Sequence, residues 1–139
     1  IQKLDLKVHM HDSKKKIDPK TDIYLVNNFG QTKSFFKICK IVFLGGSIIK
    51  HGGQNPLEAV RYGCNVVHGP NVWNFEEIYS LLKKYKFSNK IINRVQLTAK
   101  IDKIFNMKTN SKDIEIKIKR LGDKILKSTF NEIDYFINR

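Results

Sequence analysis

Acidic residues are scarce in this chain: 13 Asp and Glu stand against 26 Lys and Arg, for a formal net charge of +13. That imbalance makes an anionic partner worth weighing, be it nucleic acid, anionic lipid or a phosphorylated ligand, and identifies none of them. The lysines are spread from Lys3 to Lys127 in a chain also rich in Ile and Asn, a distribution that AT-rich coding bias produces equally well. No apolar run reaches the roughly 18 residues that span a bilayer; the longest, Ile41 to Ile49, is of strand length. A leader-like apolar stretch is missing as well, because Ile1 to Lys7 alternates charged and apolar groups. The start at Ile1 rather than Met reads as a trimmed or excised piece. Cysteine is reduced to Cys39 and Cys64, both in apolar segments and without C-x-x-C spacing, so neither a disulfide framework nor a thiolate metal site is indicated. Both are expected as reduced core residues of a cytosolic protein.

With 41% hydrophobic and 28% charged residues, 139 residues suffice for one core. A single domain over 1–139 is expected, with a helical tail from about 112 to 139. Leu4, Leu6, Val8 and Met10 alternate with Asp5, Lys7, His9 and His11, the period of a half-buried strand. Ser13 to Thr21 reads as a solvated loop, Ile23 to Val26 as a short strand, Asn27 to Gly30 as a turn and Thr32 to Lys40 as a short helix. Ile41 to Leu44, stopped by Gly45-Gly46, looks like a strand buried on both faces, and Asn65 to His68, stopped by Gly69-Pro70, like another. Helices fit Pro56 to Tyr62, with Gly63 as C-cap, Phe75 to Tyr85 and Gln96 to Phe105, with a last short strand over Lys90 to Val95. Alternating strands and helices mean a parallel, Rossmann-like sheet with flanking helices.

The informative stretch joins Gly45-Gly46-Ser47 to His51-Gly52-Gly53-Gln54-Asn55-Pro56-Leu57-Glu58. A buried strand, a glycine loop and a helix start form a phosphate cradle, since glycines let backbone approach a ligand and helix N-termini offer unpaired N–H groups. The spacing fits neither G-x-G-x-x-G nor G-x-x-x-x-G-K-[ST]. Asn55, Pro56 and Glu58 also have the bland reading of N-cap, N1 and N3 of a capping box, and Asn74 to Glu77 repeats that arrangement.

Beyond this physics, the run from Gly45 to Ile78 resembles the carboxyl-terminal segment of Kdo (3-deoxy-manno-octulosonic acid) transferases. A GGS loop, an HGG-x-NPLE turn and helix, a small-residue turn and a GP-x-x-x-NF motif follow in that order. Ile17-Asp18-Pro19, Thr21 to Leu25 and Phe29-Gly30 also fit, so the resemblance covers about Leu4 to Ile104. It implies the carboxyl-terminal domain of a GT-B glycosyltransferase, here lacking its opening strands, which takes part in transferring Kdo from CMP-Kdo to a lipid A precursor at the cytoplasmic face of the bacterial inner membrane. By the same resemblance Gly45, Gly46 and Ser47 lie against the cytidylate phosphate, Asn55 and Glu58 hold the ribose or phosphate region, His51, Gly52 and Gly53 shape the loop, and Phe29 and Gly30 sit near the base. The family's catalytic carboxylate and its PRHPER-type motif have no counterpart here. The chain alone is therefore expected to be inactive and to need the missing amino-terminal GT-B domain. Neither metal nor cofactor is expected.

Other residues carry weaker signals. His9 and His11 share a strand face that can bind a metal, though no third ligand is signalled nearby, and His68 fits a structural hydrogen bond. Trp73, with Asn71 and Asn74, either lines a sugar site or packs as a lid on the core. Lys83, Lys84 and Lys86 suit an anionic membrane surface or a plain solvated helix face. Ser47 lacks triad partners. Two competing readings are a basic nucleic-acid-binding module, for which no RRM, KH, zinc-finger or helix-turn-helix signature is present, and a non-catalytic α/β interaction module. If strands are missing, an open sheet edge invites dimerisation.

Overall fold

In the computed structural model, residues 4–12, 14–107 and 110–138 are described. They divide into two compact units, Ile1–Thr32 and Lys33–Arg139.

The first unit is built on two short parallel strands, β1 (Val8–Met10) and β2 (Ile23–Leu25), registered Val8 to Ile23. The chain between them turns at two aspartates: Asp12 Oδ1 accepts from Lys14 N–H and Asp18 Oδ1 from Lys20 N–H, the local bonding that makes Asp a turn residue. The expected strand over Leu4 to Met10 is thus shortened to its last three residues, and Leu4, Leu6, Val8 and Met10 are exposed rather than half-buried. His9 stacks on Tyr24, its partner across the ladder, and His11 Nδ1 bonds the Tyr24 hydroxyl. Among the described residues no group of three metal-ligating side chains occurs.

The second unit contains β3 (Ile41–Leu44), β4 (Asn65–His68) and β5 (Ser88–Lys90) in one parallel sheet of order β3-β4-β5. Helix α1 (Thr32–Phe36) precedes β3 and α2 (Leu57–Arg61) precedes β4; a 3-10 turn (Trp73–Phe75) leads into α3 (Glu76–Lys84); α4 (Arg94–Asn106) and the 27-residue α5 (Ser111–Ile137) complete the unit. All four residues of β4 are buried. Successive side chains of a strand point to opposite faces, and the core divides accordingly. Val66 packs with Ala59, Val60, Leu82, Ile114 and Ile118 on one side, whereas Val67 packs with Ile91 and Ile104 on the other. Helices therefore cover both faces of the sheet, the architecture the strand and helix alternation implied.

Four expectations need correction. β3 is half-buried rather than buried on both faces, with Phe43 exposed, because it is an edge of the sheet. The last strand is Ser88–Lys90, not Lys90 to Val95; its polar side chains hide a strand that forms because β4 offers an edge to pair with. The first helix stops at Phe36 rather than running to Lys40, and α3 begins without a side-chain cap, Asn74 lying inside the preceding turn. The long terminal helix stands as expected. Cys64 Sγ is buried and donates to the Phe36 and Cys39 carbonyls, and burial, then the Cys39 thiol, pushes its pKa from 9.0 up to about 11. Both cysteines are free.

Candidate functional site

Parallel pairing aligns Leu44 with His68, so β3 and β4 end at the same edge and release two loops side by side, 45–56 and 69–72. Ligand crevices of open α/β sheets lie at this edge. Ser47 joins the loops. Its side chain is fully buried, donating to Leu44 O at 2.6 Å and accepting from Gly69 N–H at 2.8 Å. Asn71 adds two bonds, its backbone N–H to Ser47 O at 2.9 Å and its side-chain amide to Ile48 O at 2.8 Å. Gly53 N–H donates to Gly46 O, Asn74 N–H to Gly52 O, and the Tyr79 hydroxyl to Gln54 O at 2.9 Å. The loops are thus one hydrogen-bonded body carried on the two strands.

This body explains most of its glycines without reference to a ligand. A Cβ on Gly69 would collide with the Ser47 carbonyl, and one on Gly52 with the Asn74 side-chain amide. Gly53 has a φ of 81° and would crowd Val72. Gly45 differs: its φ is not in the left-handed region, it is exposed, and a Cβ there would meet nothing within 4 Å. Within the described residues, neither sterics nor backbone conformation calls for a glycine at that position.

Of the residues singled out from sequence, Gly46, Ser47, His51, Gly52, Gly53 and Asn74 come together here, the His51 ring lying against Gly46 and the Asn74 side chain against Gly52. Asn55 and Glu58 follow at the start of α2, both exposed. Asn55 Oδ1 accepts from Leu57 N–H at 3.0 Å and so turns the chain into α2, but the N-cap position falls on Pro56 without a side-chain cap, and the capping box read from the sequence, with Asn55 as N-cap and Glu58 at N3, is not formed. Phe29 and Gly30 belong to the first unit, where Phe29 is fully exposed. Trp73 is no lid on the core: it is 52% exposed, with its indole nitrogen beside Gly52. His68 makes the structural bond expected of it, donating from Nδ1 to Gly69 O at 2.7 Å, and its ring packs against that of Tyr79 with centroids 4.2 Å apart and planes tilted by 43°. Burial holds its pKa below the ordinary value, the Gly69 bond opposing that shift and Lys90 reinforcing it. Tyr79 is the residue sequence reasoning missed, and the bonds that Gly69 and Asn71 make to the first loop give these two a part beyond the strand stop and the candidate sugar contact read for them. Gly69-Pro70 was legible as a strand stop, but nothing in a linear reading tells that its missing Cβ makes room for Ser47 twenty-two positions earlier.

No protein-family model matches the chain. Over 62 residues it is 39% identical to the 3-deoxy-D-manno-octulosonic acid transferase of Haemophilus influenzae, covering 45% of this chain and 14% of that protein. Over 98 residues it is 29% identical to the transferase of the same name from Aquifex aeolicus, covering 70% of this chain and 27% of the relative. The chain thus spans about a seventh to a quarter of the length of these relatives. Its fold is similar to that of the crystal structure of the C-terminal CMP-Kdo binding domain of WaaA from Acinetobacter baumannii. The TM-score is 0.72 at 21% identity, with 86% of this chain and 62% of that one covered.

Proposed function

We propose that this chain, a relative of the 3-deoxy-D-manno-octulosonic acid transferases, is the donor-binding domain of such an enzyme and binds the CMP part of CMP-Kdo at the loop body between β3 and β4. The observation that carries the reading is Gly45. It is the glycine of the loop for which the protein supplies no steric need, and the space it leaves open lies where the resemblance puts the cytidylate phosphate. Gly46 and Gly53 hold the backbone there with φ of 68° and 81°, so loop N–H groups face the departing phosphate with little reorganisation. Ser47 acts differently from a phosphate ligand. With its hydroxyl bonded to Leu44 and Gly69, it positions the loop. In this reading Asn55 and Glu58 take the ribose hydroxyls, Glu58 as acceptor, which their exposure at the start of α2 supports, and His51, Gly52 and Asn74 form the adjoining wall.

In this account the reaction is a displacement at the anomeric carbon of Kdo, with CMP leaving toward this domain. The general base and the lipid A precursor site come from an amino-terminal GT-B domain. The parent enzyme works at the cytoplasmic face of the inner membrane; Lys83, Lys84 and Lys86, all exposed, suit an anionic lipid surface. Among the described residues no helix is long and apolar enough to cross a membrane.

Calorimetric titration with CMP tests the site. The chain is expected to bind CMP in preference to UMP, and Gly45→Ala, which leaves the melting temperature unchanged, is expected to weaken binding at least tenfold by placing a methyl group in the phosphate space. Unaltered CMP affinity in a folded Gly45→Ala chain would refute the assignment.

A further inference from the structure

Tyr79 carries one polar atom that its place in the core does not require. The residue is buried in α3 and belongs to the same apolar cluster as Ala59, Val60 and Leu82, and a phenylalanine ring would fill that place equally well. The added hydroxyl reaches out of the cluster and donates to Gln54 O at 2.9 Å. Gln54 is exposed, where solvent satisfies a carbonyl as readily as a protein donor does. The bond therefore decides where this carbonyl lies rather than whether it has a partner.

Two neighbours fix the aim of the hydroxyl. The His68 ring, at the end of β4, packs against the Tyr79 ring, and Ser88 Oγ, in β5, donates to the Tyr79 backbone carbonyl at 3.2 Å. Both neighbours are buried, so the hydroxyl is held from the sheet itself. The carbonyl it grips belongs to the rigid peptide plane between Gln54 and Asn55, and Pro56 restricts both its own φ and the conformation of Asn55 before it. Holding that plane sets the direction in which Asn55 and Glu58 leave the loop. We infer, on the reading of the loop body as the CMP site, that Tyr79 is a positioning residue for the donor: its hydroxyl fastens the end of loop 45–56 so that Asn55 and Glu58 stand where the ribose is met. Ser47 fastens the phosphate end of the same loop and Tyr79 the ribose end. Without the hydroxyl the loop end spends less time in the binding geometry, and affinity falls by that fraction.

Two variants of α3 separate positioning from stability. Tyr79→Phe keeps the ring and removes the hydroxyl; Leu82→Val trims a fully buried side chain of the same helix and leaves the Gln54 bond in place. Calorimetric titration with CMP is run on the parent and both variants, beside thermal melts and amide spectra of the free chains. Tyr79→Phe is expected to bind CMP about fivefold more weakly, the worth of one neutral hydrogen bond, and to melt higher than Leu82→Val. In the free Tyr79→Phe chain the amide signals of Asn55 and Leu57 are expected to move while that of Gly69, held by Ser47, stays. Leu82→Val is expected to melt below the parent and to bind CMP as the parent does. Unchanged CMP affinity in Tyr79→Phe overturns the role of the hydroxyl, and so does an equal loss in Leu82→Val, which would make the effect one of stability. A parent that binds no CMP overturns the site as well; failure of Tyr79 alone is recognised by a parent that binds CMP and loses it in Gly45→Ala but not in Tyr79→Phe.

Discussion

Ser47 shows how a residue of the proposed binding loop can serve the protein rather than a ligand. As a hydroxyl after two glycines it looks like a phosphate contact; in the structure it ties Leu44 to Gly69. Linear spacing marks such a residue without revealing its partners, because these depend on which second loop the sheet brings alongside. Cys64 is the converse: its apolar setting in the sequence suffices to predict a buried, reduced thiol. Its consequence is measurable. A pKa raised from 9.0 to about 11 means that the folded state disfavours the thiolate, so this contribution to stability is complete below pH 9 and is lost as pH rises toward 11. The effect is worth about 2–3 kcal/mol. Urea unfolding followed from pH 8 to 11 is expected to show a decline in that window that is smaller in Cys64→Ala; Tyr79, raised to about 12 by burial, adds its share at still higher pH. An identical decline in both chains would contradict the assignment to Cys64.

At the level of elements, legibility followed side-chain chemistry. β4 was readable because Asn65-Val66-Val67-His68 is an apolar pair between glycine-marked turns, and α5 because its apolar residues keep helical spacing. β5 was not readable: Ser-Asn-Lys has no apolar period, and its strand geometry comes from pairing with β4. The exposure of β3 was hidden for the related reason that Ile-Val-Phe-Leu looks the same at the edge of a sheet as in its middle. The glycine loop was legible as a loop, but its union with 69–72 was not, since that is a tertiary contact. The union predicts a cost that a simple ligand loop would not carry. Gly69→Ala drives a methyl into the Ser47 carbonyl and is expected to destabilise the domain by about 1–3 kcal/mol. Ser47→Ala leaves Gly69 N–H buried without its acceptor, for about 1–3 kcal/mol. Thermal melts of both variants check this, and a Gly69→Ala chain as stable as the parent would show that the two loops are not fastened as described.

For the whole molecule, the net charge of +13 is the property open to the most explanations, since it suits a nucleotide phosphate, an anionic lipid surface or a nucleic acid equally. Charge acts at long range and without shape; the loop body acts at one place. A chemical-shift titration with CMP, run beside UMP and a short oligonucleotide at low and moderate salt, separates the two. Saturable CMP shifts confined to Gly45–Ser47, His51–Gly53 and Asn55–Glu58 are expected, stronger than those from UMP and little changed by moderate salt. Shifts spread over the lysines that fade with salt for every ligand, and none at Gly45, would contradict the proposed site.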